Sequence, residues 1–412
     1  MELQNRLILN KYILSLFGAD KFASLEKNKD LFSKNIRDIL INSREGFNEE
    51  GKSYFLINLT SFNLDIDERV LNKLEEYDQN IREYLNYINT KRDNKIDLKY
   101  FQYLAVLFTE IYLDNYFNSK NKFLSELNEF VDKENKKIKK KKNRYSYFDN
   151  DDLQKLAYYM ATGSGKTIIM HINYLQYLKY TNQEIDNIIL VTPNSGLSQQ
   201  HIEEFHMSNI NADLFSNLKG SMFSKGQIAV IEITKLVETK TGEGDSEEVG
   251  SFEGHNLVLV DEGHKGSGGD VWKDNREMLA RDGFIFEYSA TFGQAVGSRA
   301  DRSEKWKNES NYVNKRVNEI GLPEDVKEDI FNVIKDKTYI NMSLYELENK
   351  MEEYSLSQTQ KARIKGLYNN LLEEYSKAII FDYSYKFFYE DGYGKDYNIL
   401  NLKETQLREY ND

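Results

Sequence analysis

A short apolar run at residues 156–159 breaks into Met160-Ala161-Thr162-Gly163-Ser164-Gly165-Lys166-Thr167, and a helical pattern opens at once with Ile168-Ile169-Met170. Strand, glycine turn and helix in immediate succession restrict the fold more than anything else in the chain. Gly163 and Gly165 admit backbone angles that a Cβ disfavours, so consecutive amides can converge on one set of anionic oxygens. The positive end of the following helix adds to that field. Lys166 can then reach the outer phosphates of a nucleotide, and the Thr167 hydroxyl can complete the shell of a Mg²⁺ ion. Thr162, Gly163, Ser164, Gly165, Lys166 and Thr167 are therefore expected to hold ATP with Mg²⁺. The strict pattern has glycine where this chain has Met160, but the groups that do the binding are all retained.

A loop of this kind needs a parallel sheet behind it. Apolar runs at residues 188–192, 228–233, 257–260 and 284–289 alternate with helical patterns, which is the texture of buried parallel strands. The predicted class is α/β, a P-loop parallel sheet flanked by helices over residues 151–300. A mainly helical region precedes it at residues 1–150. Its clearest helix is 99–117, where Phe101, Leu104, Ala105, Phe108, Ile111, Tyr112 and Tyr116 recur at helical spacing. Residues 118–150 are charged and lysine-rich, either a basic arm for DNA or a solvated helix end. Residues 242–254 read as an acidic inserted loop. Residues 301–412 read as a helical extension, with the apolar run 378–381 starting a linker or a second motor domain.

Two more motifs follow the loop. Asp261-Glu262-Gly263-His264 comes directly after the apolar run 257–260. An acid at the tip of a buried strand can hold Mg²⁺, and a second carboxylate beside it can orient or deprotonate an attacking water. Asp261 is expected as the metal residue, Glu262 as the base, and His264 as a relay of nucleotide state. An acidic pair after a strand is also an ordinary surface turn; its place downstream of the glycine loop gives it weight. Ser289-Ala290-Thr291 ends the run 284–289, where small hydroxyl side chains can bond to the acidic motif and couple hydrolysis to movement.

Composition narrows the rest. The chain has no cysteine, which excludes disulfides and thiolate metal sites. His201 and His206 lack zinc-pair spacing and are expected on a helix surface. The opening residues 1–22 mix charge into their apolar positions, so they read as an amphipathic helix rather than an export signal or membrane span, and a cytoplasmic location is expected. The net charge of −12 argues against polyanion binding over the whole surface but leaves room for a local basic groove.

Taken together, TGSGKT, DEGH and SAT in this order resemble the first motor domain of superfamily-two DEAD/DEAH-box helicases. The longer strings MATGSGKT, LVTPNSGLSQQH, VDEGHKG, FEYSATFGQA and IFDYSYKFFYEDGYGKDY resemble the helicase (Res) subunits of type III restriction enzymes and related phage-defence proteins. The resemblance covers residues 153–402. It implies a RecA-like motor that hydrolyses ATP while stepping along DNA, with a Mod-like methyltransferase or another defence subunit as partner and no membrane. It also implies that Pro193 and Asn194 (motif Ia) and Thr234 (motif Ib) contact DNA. Pro193-Asn194 is equally a strand-ending turn. Gln102 stands where an adenine-reading glutamine would, or is a polar residue on an amphipathic helix.

The chain also departs from that pattern. No Q-x-x-G-R-x-x-R-like string follows Thr291, and Asp65-Ile66-Asp67-Glu68 with Lys73 does not make a PD-(D/E)xK nuclease motif. The expected reading is the amino-terminal part of a longer motor protein; the alternative is a non-catalytic nucleotide-binding module that docks a partner. A transporter ATPase is disfavoured by VDEGHKG together with SAT. Arginine fingers contribute about 10³–10⁵ in rate to related phosphoryl transfers. The purified chain should therefore bind ATP–Mg²⁺ yet release phosphate slowly, and brisk DNA-stimulated release that Lys166→Ala abolishes would contradict this.

Overall fold

The computed structural model describes residues 3–19, 22, 35–62, 64–140, 143–215, 226–237, 247–248, 252, 254–262, 278–280, 282–297, 327 and 371–394. Its strands are β1 (Lys155–Met160), β2 (Asn187–Thr192), β3 (Ala212–Leu214), β4 (Ile228–Glu232), β5 (Leu236–Val237), β6 (Glu247–Glu248), β7 (Asn256–Asp261), β8 (Phe284–Ser289) and β9 (Ile379–Tyr383). Seven of them form one sheet in the order β3-β4-β2-β7-β8-β1-β9, with β5 and β6 pairing separately. Every pairing in the large sheet is parallel.

The apolar runs are continuous because both faces of the sheet are covered. Alternation along each strand assigns the faces. Leu190, Val230, Leu257, Leu259, Phe284 and Phe286 join the large core with the amino-terminal helices. Ile189, Val191, Ile231, Val258, Val260 and Ile285 form a second cluster on the other face. The helices are α1 (Ile8–Ser15), α2 (Ile36–Leu40), α3 (Tyr54–Ser61), α4 (Glu68–Leu71), α5 (Leu74–Ile88), α6 (Tyr100–Lys137), α7 (Lys166–Tyr180), α8 (Ser195–Met207), α9 (Phe292–Gly297), α10 (Leu371–Ala378) and α11 (Tyr385–Glu390).

Three features differ from the sequence reading. The expected helix 99–117 continues as α6 to Lys137, bending at Ser119 (φ −151°, ψ 35°). Phe123, Leu127 and Val131 bury its second half. Asn128 and Asn135 each accept from and donate to the backbone of the returning chain, at Phe148 and Tyr145. Lys136, Lys137, Lys139 and Lys140 are exposed at the end of this anchored helix.

The boundary expected near residue 150 is no break in packing. One core runs from Ile8 to Phe387, because α5 and α6 pack on α7 and α1 packs on β9.

The third difference concerns residues 378–381, expected to begin a linker or a second motor domain. Ile379–Tyr383 is instead β9, the edge strand beside β1 in the same sheet. Charge and aromatic packing hold it there. Lys377 donates to Tyr147 O (2.6 Å) and to Asp152 Oδ2 (2.7 Å), and Asn10 Nδ2 donates to Ile380 O at 2.7 Å. Asp391 accepts from the Arg37 guanidinium and from the Tyr100 and Tyr383 hydroxyls. The helical extension expected between β8 and β9 lies mostly outside the described residues, as does most of the loop 242–254.

Among the described residues no helix is long and apolar enough to cross a membrane. Phe381 is fully buried, edge-on to Phe22 and Phe108. Phe381→Ala should therefore lower unfolding free energy by about 3–5 kcal/mol in urea titration. A loss within about 0.5 kcal/mol, the range of surface changes, would place β9 outside the sheet.

Candidate functional site

Parallel strands end on one edge, and ligands of open α/β sheets bind there. The order β7-β8-β1 sets three expected motifs side by side on that edge. The glycine loop leaves β1, SAT leaves β8, and the acidic pair leaves β7.

The loop closes in the way its glycines allow. Gly163 (φ 83°) and Gly165 (φ 85°) are both left-handed, which costs glycine nothing and any other residue about 1–2 kcal/mol. Gly165 is the residue capping α7. Ser164 folds back on the loop, its amide (3.2 Å) and hydroxyl (2.7 Å) both donating to Ala161 O. Ala161 N donates to Tyr383 O at 3.0 Å, so β9 supports the loop from its other side. Lys166 Nζ lies 3.3 Å from Met160 O and 3.4 Å from Ala161 O. Thr162 and Gly163 are exposed, and Thr167 is half-buried at the first turn of α7. Glycines that no Cβ could replace without strain, a lysine directed over the loop and a hydroxyl on the first helical turn make a donor set suited to a Mg²⁺-bound triphosphate.

Glu262 meets that lysine across the edge. Its Oε1 is 3.6 Å from Lys166 Nζ, and it accepts from Ser289 Oγ (2.8 Å) and Ala290 N (3.3 Å). Thr291 N donates to Ser289 Oγ at 3.0 Å, which turns the hydroxyl toward the carboxylate. Glu262 holds φ 51°, a conformation that bulky residues keep only where neighbours over-determine it. Its amide is fastened to Tyr288 O at 2.9 Å. Asp261 ends β7 and accepts from His201 Nε2 at 2.9 Å. His264 lies outside the described residues.

The remaining candidates fall near the same edge. Gln102 both caps α6, accepting from Lys99 N at 2.9 Å, and donates from Nε2 to Ser164 O at 2.9 Å. A Cβ on Gly165 would collide with that amide, so helix residue and loop are fitted to each other. Pro193 and Asn194 follow β2; Asn194 is exposed and caps α8, accepting from Leu197 N at 3.0 Å. Thr234 is exposed in the short turn after β4. Since β2 and β4 are neighbours, the two loops adjoin.

Two residues near the loop escaped the sequence reading. Phe388 on α11 comes within 3.9 Å of where a Gly163 Cβ would be. His201, expected on a helix surface, is 4% exposed and faces Asp261. His201 belongs to the buried stripe of α8, with Ser198, Ile202 and Phe205, and that stripe turns toward the end of β7. His206 is exposed, and its ring bonds to Ala212 O at 2.9 Å. Among the described residues no group of three or more His, Asp or Glu stands close enough to form a protein-only metal cage.

Residues 124–294 match the family model for the type III restriction enzyme res subunit. The match begins within α6 and ends in α9, spanning β1 to β8 and all three motifs, so this stretch is a helicase-type P-loop motor domain. No curated protein matches the chain. Ser289→Ala removes a buried donor to a carboxylate, a loss of about 1–3 kcal/mol in chemical denaturation. Stability within about 0.5 kcal/mol of the parent would mean that the hydroxyl does not hold Glu262.

Proposed function

We propose that this chain, whose residues 124–294 form a Res-type domain, is the ATP-hydrolysing part of a DNA-translocating restriction or defence helicase. One observation carries the reading: Lys166 at the glycine loop stands 3.6 Å from Glu262 on a different strand end, so the loop and the residue beside Asp261 meet at one edge of the sheet. A glycine turn arising by chance would not require that meeting. ATP is the substrate, held by Thr162, Gly163, Ser164, Gly165, Lys166 and Thr167. Gln102, against the loop, is the candidate to read the adenine edge.

Mg²⁺, when bound by Thr167 and Asp261, supplies charge neutralisation for phosphoryl transfer. The chain's own groups do the rest. Loop amides and the Lys166 ammonium offset the phosphate charge. Glu262, fixed by Ser289 and Ala290, orients the attacking water and takes its proton. That same hydrogen bond makes Ser289, with Thr291 behind it, a route by which the state of the acidic motif reaches the end of β8; His264 belongs to the same coupling group. The half-buried Pro193 and the exposed Asn194 and Thr234, in adjoining loops, are the candidates to grip the DNA backbone. A methyltransferase of the Mod type, or another defence subunit, is the candidate partner.

The test is nucleotide binding and phosphate release with and without duplex DNA. Lys166→Ala should weaken ATP–Mg²⁺ binding by about 10–100-fold, the worth of one hydrogen bond to a charged group. Unchanged binding would remove the site. Binding without any DNA-stimulated release, even with partner subunits restored, would favour the non-catalytic interaction module instead.

A further inference from the structure

α8 carries more than the loop at its start. His201, in its second turn, is 4% exposed and its Nε2–H donates to Asp261 Oδ2 at 2.9 Å, since a carboxylate only accepts. Asp261 is itself largely enclosed, its side chain 12% exposed. The other ring nitrogen, Nδ1, is buried and has no hydrogen-bond partner among the described residues, so among them the imidazole is bonded on one side only, toward the acid.

What lies behind that imidazole is rigid. Phe205, one turn further along α8, stacks on His171 of α7 with ring centroids 4.2 Å apart and 28° between planes. Burial pushes the His171 pKa well down, so that ring is neutral and packs as an apolar plate; its Nδ1 bonds to Ser208 Oγ at 2.7 Å. Arg92 then ties the end of α8 from outside, donating to Ser208 Oγ (2.7 Å) and Glu204 Oε2 (3.2 Å). The helix that presents His201 is thus clamped to α7, the helix that begins with Lys166 and Thr167.

We propose that His201 is a positioning residue that holds one oxygen of Asp261 so that the other faces the metal bound with ATP. The inference rests on the reading of Asp261 as the metal-bearing residue. A pair that only stabilised the fold would change melting temperature and leave the magnesium requirement alone. A positioning pair must change the magnesium requirement, because an unheld carboxylate has to be ordered by the metal itself. Partners that orient metal ligands typically contribute about 10–100-fold in metal affinity.

The experiment titrates Mg²⁺ into the full chain with a fluorescent ATP analogue and follows nucleotide binding, with melting curves alongside. His201→Leu should raise the magnesium concentration for half-maximal binding by about 10–100-fold, while His201→Gln, which keeps a donor at the same reach, should stay within about threefold, well short of that range. A folded His201→Leu with the parental magnesium requirement would overturn the proposal. Should His201→Leu not fold, His201→Gln decides alone: a rise of about tenfold or more in the folded protein would equally overturn it. A parent chain with no magnesium-dependent nucleotide binding would overturn the nucleotide reading first, and this inference with it.

Discussion

An ammonium group between a glycine turn and a carboxylate on another strand is the contact on which the rest of the site depends. Lys166 has two loop carbonyls on one side and Glu262 on the other. The carbonyls are local to the loop, but Glu262 is far from Lys166 in sequence, and the order β7-β8-β1 brings it there. A parallel sheet sends every strand's carboxyl end the same way, so three motifs separated by long connections arrive in one row. Had β7 joined the sheet on the far side of β9, the same motifs would be present and the site would not.

The site concentrates its strain at the residue proposed to act on the attacking water. Glu262 is one of only two non-glycine residues with positive φ among those described, and left-handed backbone costs such a residue about 1–2 kcal/mol. The bonds from Ser289 and Ala290 and the amide bond to Tyr288 O offset that cost. The carboxylate is thereby turned toward the loop and away from the direction in which β7 would have carried it. The large shared core supplies the rigidity that lets the strain persist.

Much of this was legible in the sequence, for definite reasons. Five apolar runs became five strands because a doubly covered sheet leaves no polar position to hide them. β3, with three residues, was too short to signal itself. Residues 378–381 were visible as apolar but not their partner, since parallel pairing with β1 is decided by contacts far apart in the chain, such as Lys377 with Asp152 and Asn10 with Ile380. The motifs pointed to a family before any geometry was known. His201 shows the limit: helical periodicity tells which stripe of α8 is buried, and nothing in the stripe says that the end of β7 lies opposite.

That stripe bears on how a nucleic-acid contact could act at a distance. α8 is capped by Asn194, in the loop where the family resemblance puts a DNA contact, and bears His201 two turns on. At about 1.5 Å per residue the two are only on the order of 10 Å apart along one helix. Arg92 and the Phe205–His171 stack hold the far end, so a pull on the first turn cannot be absorbed by letting the helix slide freely. The give would fall on the His201–Asp261 bond instead. A loop that responds to DNA would thereby bear on Asp261, the carboxylate proposed to hold the metal, through one helix, without any rearrangement of the sheet.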